Sequence, residues 1–101
     1  MTIIIPTPLR PFAGGNDSVE VSANSVGEGL EELALKHPDM RKHLFSSEGK
    51  LRSFVNLYLN DEDVRYLPAK EGTHVSGKDV LSIIPSIAGG KDGDTIIKLS
   101  S

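Results

Sequence analysis

The chain contains no cysteine and no tryptophan. Without cysteine there is no disulfide framework, thiolate zinc site, iron–sulfur cluster or cysteine nucleophile, and the redox compartment is left undecided. Aromatic residues are scarce, three Phe and two Tyr, so aliphatic side chains must fill the core. Nor is there an excess of positive charge: 11 Lys and Arg face 14 Asp and Glu, a net charge of −3. That balance argues against a nucleic-acid binder, whose affinity comes from clustered cations neutralising phosphates. Long apolar runs are missing too. Met1-Thr2-Ile3-Ile4-Ile5 is broken by Pro6 and Pro8, is too short for a signal-peptide core and has no basic residues before it. Nothing approaches the run of about 18 apolar residues that a membrane-spanning helix requires. The expectation is a soluble, cytoplasmic protein with neither membrane nor nucleic acid as partner.

What is present suits one globular domain: 101 residues, 38% hydrophobic and 25% charged. Thr2 to Leu9 is β-branched at its start and ends in prolines, which predicts a first strand. Ala13-Gly14-Gly15-Asn16-Asp17 supplies residues able to adopt positive φ and predicts a turn. Ser18 to Ser22 alternates polar and apolar residues, so the two segments should form a β-hairpin. Asn24 or Ser25 can then cap a helix, with Glu28 at capping-box spacing from Ser25. Val26, Leu30, Leu33, Ala34 and His37 fall on one face of that helix, and Pro38 stops it. Asp39 to Phe45 allows one further short turn before the polar loop Ser46 to Lys50.

Phe54 to Leu59 is the clearest strand, with Val55, Leu57 and Leu59 on one side and Phe54, Asn56 and Tyr58 on the other. Asn60 to Asp63 should turn the chain, Val64 to Leu67 return it, and Val80 to Ile84 form the last strand before Pro85. The order is strand, strand, helix, strand, short strand, strand. One helix across a small mixed sheet of four to five strands is the α+β arrangement called the β-grasp, or ubiquitin-like, fold.

Beyond that sheet comes Pro85-Ser86-Ile87-Ala88-Gly89-Gly90. Glycines lacking Cβ can thread a narrow channel, and a terminal Gly carboxylate is the least hindered acyl group for another enzyme to activate. Alone, Gly89-Gly90 equally describes a flexible linker or turn, as Gly14-Gly15 illustrates. The strand Phe54-Val55-Asn56-Leu57-Tyr58-Leu59-Asn60-Asp61-Glu62-Asp63-Val64-Arg65, taken with Ile83-Ile84-Pro85-Ser86-Ile87-Ala88-Gly89-Gly90, resembles the ubiquitin-like sulfur carrier proteins. That family includes the small subunit of molybdopterin synthase and the sulfur carrier of thiamine biosynthesis. The proline-rich Ile5-Pro6-Thr7-Pro8-Leu9-Arg10-Pro11 is similar to the branch that supplies sulfide to a cysteine synthase.

The resemblance implies a cosubstrate with no catalytic centre and no bound cofactor of its own. An adenylating enzyme related to ubiquitin-activating enzymes would use ATP to activate the Gly90 carboxylate. A sulfur donor would then displace AMP to leave a thiocarboxylate, for delivery inside an acceptor such as a cysteine synthase. Ile87, Ala88 and Gly89 correspond to the threading tail. On the family's alignment Leu81 and Ile83 face inward and Ile84 outward, so Phe54, Tyr58 and Ile84 are candidates for a partner-docking face; covering a sheet edge or packing under a loop is the other role open to Phe54 and Tyr58.

The chain departs from the pattern by continuing for eleven residues beyond Gly90. A peptide carbonyl cannot be adenylated, so the expectation is a domain over residues 1–90 and an extension, 91–101, removed between Gly90 and Lys91. Some relatives are handled by zinc-dependent peptidases of the deubiquitinase type. Lys91 to Leu99 also echoes Gly77 to Ile84, so an additional edge strand or a dangling end is the other reading of that extension. Molybdopterin or tRNA thiolation, or conjugation of Gly90 to target lysines as a protein modifier, are alternative destinations. His37, Asp39 and His43 have spacing that crosses Pro38 and no fourth ligand, which suits a solvated helix end and no metal site. Asp61-Glu62-Asp63 reads as a solvated turn.

Overall fold

The computed structural model of the chain describes residues 1–85. The readings placed on Ile87, Ala88, Gly89, Gly90 and Lys91, and on the extension to Ser101, lie outside the described residues.

The β-branched start of the chain forms β1, Thr2–Ile4. It pairs antiparallel with β2, Ser18–Glu20, in a register that sets Ile3 opposite Val19. Gly14 and Gly15 lie between them at φ 66° and 81°, the conformations the turn was expected to need. The first strand is shorter than the sequence suggested. It stops at Ile4, and Thr7–Ala13 forms a 3-10 helix instead of continuing to Leu9. Pro6, Pro8 and Pro11 have no N–H to give a strand ladder, while their fixed φ is compatible with helical turns. The turn folds Leu9 and Ala13 into the core, and Arg10 Nε donates to the Ile5 carbonyl at 3.0 Å. β2 likewise ends at Glu20 and not at Ser22, although the Val21 N–H still reaches the Met1 carbonyl at 2.9 Å.

The helix is α1, Val26–Lys36, with Ser25 as its N-cap. Ser25 Oγ accepts from the Glu28 N–H at 3.2 Å. The reciprocal arm of the capping box reaches one residue further back, where Glu28 Oε1 accepts from the Asn24 N–H at 3.0 Å. Val26, Leu30, Leu33 and Ala34 are buried, as their spacing predicted. His37, at the C-terminal cap, is half-buried. A 3-10 turn at Pro38–Met40 leads into the short helix α2, Arg41–Leu44, which anchors Met40 and Leu44 in the same core.

β3, Val55–Leu59, alternates as expected, with Val55, Leu57 and Leu59 buried. β5, Val80–Pro85, buries Leu81 and Ile83. The sheet has five strands in the order β2-β1-β5-β3-β4. β1 and β5 run parallel and the other pairs antiparallel. Joining two parallel neighbours requires a long crossover, and the middle of the chain with α1 provides it. The inward residues of the sheet and of α1 share one buried cluster. This is the β-grasp arrangement.

The return after β3 differs from the expectation. Asn60 and Asp61 adopt φ 50° and 76°, so a two-residue turn sets Leu59 opposite Glu62, and β4 is only Glu62–Asp63. Asp63 Oδ1 then accepts from the Arg65 N–H at 2.9 Å and caps a 3-10 helix at Val64–Tyr66, where a strand had been placed. Such a turn favours Asn-Gly, and an aspartate held at φ 76° costs stability relative to glycine. Asp61→Gly is therefore expected to raise the urea midpoint by an amount equivalent to about 0.5–1 kcal/mol, with the slope of the transition unchanged. A lowered midpoint would show that the Asp61 side chain contributes more than its backbone conformation costs.

Candidate functional site

The site begins with the strand that leads to the glycine pair. β5 is flanked by β1 on one side and β3 on the other, paired with β1 over Val80–Ser82 and with β3 from Leu81 to Pro85. Its inward side chains, Leu81 and Ile83, are almost wholly buried. Asn60 clasps the start of the strand. Its backbone N–H donates to the Val80 carbonyl at 2.9 Å, its Oδ1 accepts from the Val80 N–H at 3.0 Å, and its Nδ2 donates to Asp79 Oδ1 at 2.9 Å. The Asn60 amide, helped by the Ser76 N–H at 2.7 Å, holds the Asp79 carboxyl below the usual carboxylate range. At the far end Pro85 sits opposite Val55. The last described residue of the strand is thus held by β3, while the pairing with β1 fixes its first half.

The face of the sheet turned away from α1 is the second part of the site. Pairing places Ile4 and Tyr58 on either side of Ser82, while Val80 and Ile84 lie two residues before and after it on the same face. Ile4, Val80 and Ile84 are 37%, 38% and 47% exposed, and Tyr58 is half-buried. Ile84 points outward and Leu81 and Ile83 inward, as the family alignment implied. Phe54 lies apart from this face: it is partly buried and packs against the core just before β3. Ile4 and Val80 escaped the sequence reading for different reasons. Ile3, Ile4 and Ile5 are all apolar, so no alternation marks the outward residue, and Val80 stands at a strand end. Pairing of β1 with β5, which sequence does not display, was the needed signal.

Among the described residues no three His, Asp or Glu side chains are grouped to hold a metal ion. Nor, among them, is any helix long and apolar enough to cross a membrane. His43 instead stacks on Phe12, with ring centroids 4.0 Å apart, and its buried Nε2 has no hydrogen-bond partner among the described residues. Asp63, in the acidic turn, is held below its ordinary range by the Arg65 guanidinium, which donates to both carboxylate oxygens at 3.2 and 2.8 Å.

Comparison with known proteins decides what this arrangement belongs to. Residues 3–90 match the model of the ThiS family. The chain belongs to the ThiS family. Among curated ThiS-like relatives, the sulfur carrier protein CysO of Mycobacterium tuberculosis is 40% identical over 92 residues, covering 89% of this chain and 98% of the relative. In the crystal structure of the Amycolatopsis orientalis BexX/CysO complex, the matching chain superposes with a TM-score of 0.77 at 39% identity, covering 88% of this chain and 98% of the other. Small archaeal modifier protein 1 of Haloferax volcanii superposes with a TM-score of 0.76 at 27% identity, covering 89% and 98%. These similarities support a sulfur-carrier role within the ThiS family.

Half-buried His43 gives the folded domain a specific acid response. Burial lowers the His43 pKa below its ordinary 6.5, the charges of Lys42 and Arg52 lower it further, and Asp39 opposes them. The unfolded chain therefore takes up the proton first. Stability is fully retained above the ordinary histidine value and is lost as pH falls through it towards the lower folded value. The wild-type urea midpoint is expected to fall between about pH 7 and pH 5, and that of His43→Phe to fall less. Identical pH profiles for the two proteins would contradict this origin.

Proposed function

We propose that this chain is a sulfur carrier whose working end is the carboxylate of Gly90, released by cleavage of the Gly90–Lys91 bond. The observation that carries the reading is the reach of the family match, which runs from residue 3 to residue 90 and stops at the second glycine. The mycobacterial carrier is covered over 98% of its length by 89% of this chain, which is consistent with the surplus lying in the extension. A domain of residues 1–90, made in the cytoplasm as a precursor and trimmed by a peptidase of the zinc-dependent type, follows from this reading.

The chemistry needs no catalytic group on the carrier. An adenylating enzyme joins the Gly90 carboxylate oxygen to the α-phosphorus of ATP and releases pyrophosphate. A sulfide-level donor then attacks the activated acyl carbon; the C–S bond forms, the C–O bond to AMP breaks, and AMP departs. The product, Gly-C(=O)-S⁻, carries sulfur on the backbone terminus, and this is how a protein with no cysteine can hold it. Gly89, Ala88 and Ile87 are the portion that enters the partner's channel. Anchoring of β5 on both edges keeps the body of the domain outside while the tail goes in. The outward face around Ser82, with Ile4, Tyr58, Val80 and Ile84, suits docking of the activating and acceptor enzymes, since an apolar centre with a polar surround is the common composition of such contacts. The similarity to CysO favours a cysteine synthase as acceptor over molybdopterin or tRNA thiolation. A second reading, conjugation of Gly90 to lysines of target proteins, is favoured by the likeness to small archaeal modifier protein 1.

The test is a form ending at Gly90, incubated with ATP, the adenylating enzyme of its host and sulfide, and followed by intact mass. An oxygen-to-sulfur increment is expected, and removal of Gly90 should abolish it. Ile84→Glu, which places a charge on an already exposed position, should slow its appearance by about tenfold or more while the thermal midpoint is nearly unchanged. No increment, or branched peptides on lysines in its place, would overturn the carrier reading.

A further inference from the structure

Positive charge is concentrated in one part of this acidic chain. Residues 36–52 hold five of the 11 basic side chains and two of the 14 acidic ones, a local net charge of +3 in a protein of −3. The fold gathers three of those cations, Arg41, Lys42 and Arg52, around an open cleft whose floor includes Pro38 and the Phe45 ring. Two of the three are braced in place. Arg41 donates to Glu31 Oε1 at 2.7 Å and lies 5.5 Å from the centroid of the Phe45 ring. Arg52 Nε donates to the Lys42 carbonyl at 2.8 Å, which leaves its two terminal nitrogens without a partner among the described residues. The Lys42 ammonium has none there either.

The loop beside the cleft discriminates between kinds of anion. A phosphate site is ordinarily built from converging backbone N–H groups. Here the N–H groups of Ser46, Glu48, Gly49 and Lys50 are turned in on the loop, bonding to the Lys50 carbonyl, Ser46 Oγ, the Ser46 carbonyl and Ser46 Oγ respectively. The Ser47 N–H alone has no partner among the described residues, so what remains to meet a ligand is one backbone donor and a rim of side-chain cations over an apolar floor, which fits carboxylates interspersed with apolar groups. The cleft also lies near Pro85, the last described residue before the glycine pair: the Arg52 carbonyl accepts from the Val55 N–H at 3.0 Å, and Val55 is the partner of Pro85.

We infer that this cleft is a docking contact for an acidic polypeptide segment on the protein that receives the tail, a role that rests on the carrier reading above. The acidic segment borders the mouth of the partner's channel and engages Lys42 and Arg52 as the glycines enter. Opposite charge at the point of entry accelerates encounter and orients the domain, and both effects weaken with salt.

The experiment is an NMR titration of the isotope-labelled full chain with a hexaglutamate peptide, and separately with inorganic phosphate. Saturable shifts are expected at Arg41, Lys42, Ser47 and Arg52, fading towards ~0.5 M salt, where the screening length is only a few ångströms. Lys42→Gln with Arg52→Gln should weaken the peptide response by about fivefold or more. Lys42→Gln alone serves as the second variant, since that ammonium braces nothing among the described residues, and it should weaken the response in the same direction. Shifts that are absent, that fall equally on Lys70 and Lys78, or that phosphate reproduces at the same concentration would overturn the assignment. Failure here is separable from failure of the carrier reading: the titration involves no activation of Gly90, and thiocarboxylate formation is read from mass alone.

Discussion

The position of β5 governs everything else in this molecule. A last strand placed at a sheet edge could fray or slip, but here it is inserted between β1 and β3 and bonded to both. Burial of Leu81 and Ile83 adds a second restraint, because a shift of one residue would turn both out of the core and bring Ser82 and Ile84 in. The Asn60 clasp at Val80 adds a third. Together they fix the register of β5 up to Pro85.

This constraint also divides the side chains of β5 between two tasks. Inward residues join the helix, β3 and the α2 corner in one core, whereas outward residues lie on a sheet face that no element among the described residues covers. Ser82 sits amid Ile4, Tyr58, Val80 and Ile84 on that face. The cationic cleft lies near Pro85 but has a different physical character, charged at its rim and apolar beneath. In the docking proposed above, an apolar contact would supply affinity and a charged one rate and orientation.

Much of the fold was legible because the relevant signals were local. The cap at Ser25, the one-sided helix from Val26 to Ala34 and the alternation of Val55, Leu57 and Leu59 each follow from neighbours in sequence. Departures arose where a short-range cue competed with another. Prolines 6, 8 and 11 turned an expected strand into a 3-10 helix, and the Asp63 cap curled Val64–Tyr66 away from the sheet. The outward patch was only half legible: Tyr58 and Ile84 sit on recognisable strands, but Ile4 joins them through a parallel pairing across most of the chain. Phe54 looked outward by alternation yet precedes β3, where the pleat no longer dictates direction. The glycine pair and the extension were read from residue type and family resemblance, which describe chemistry without geometry.

We propose that the functional end of the protein is Gly90 and not Ser101. Intact mass analysis of the protein isolated from its native host tests it most directly. A species ending at Gly90 is expected, part of it heavier by the exchange of one oxygen for sulfur. A population ending at Ser101 alone, with no Gly90-terminated form, would contradict it.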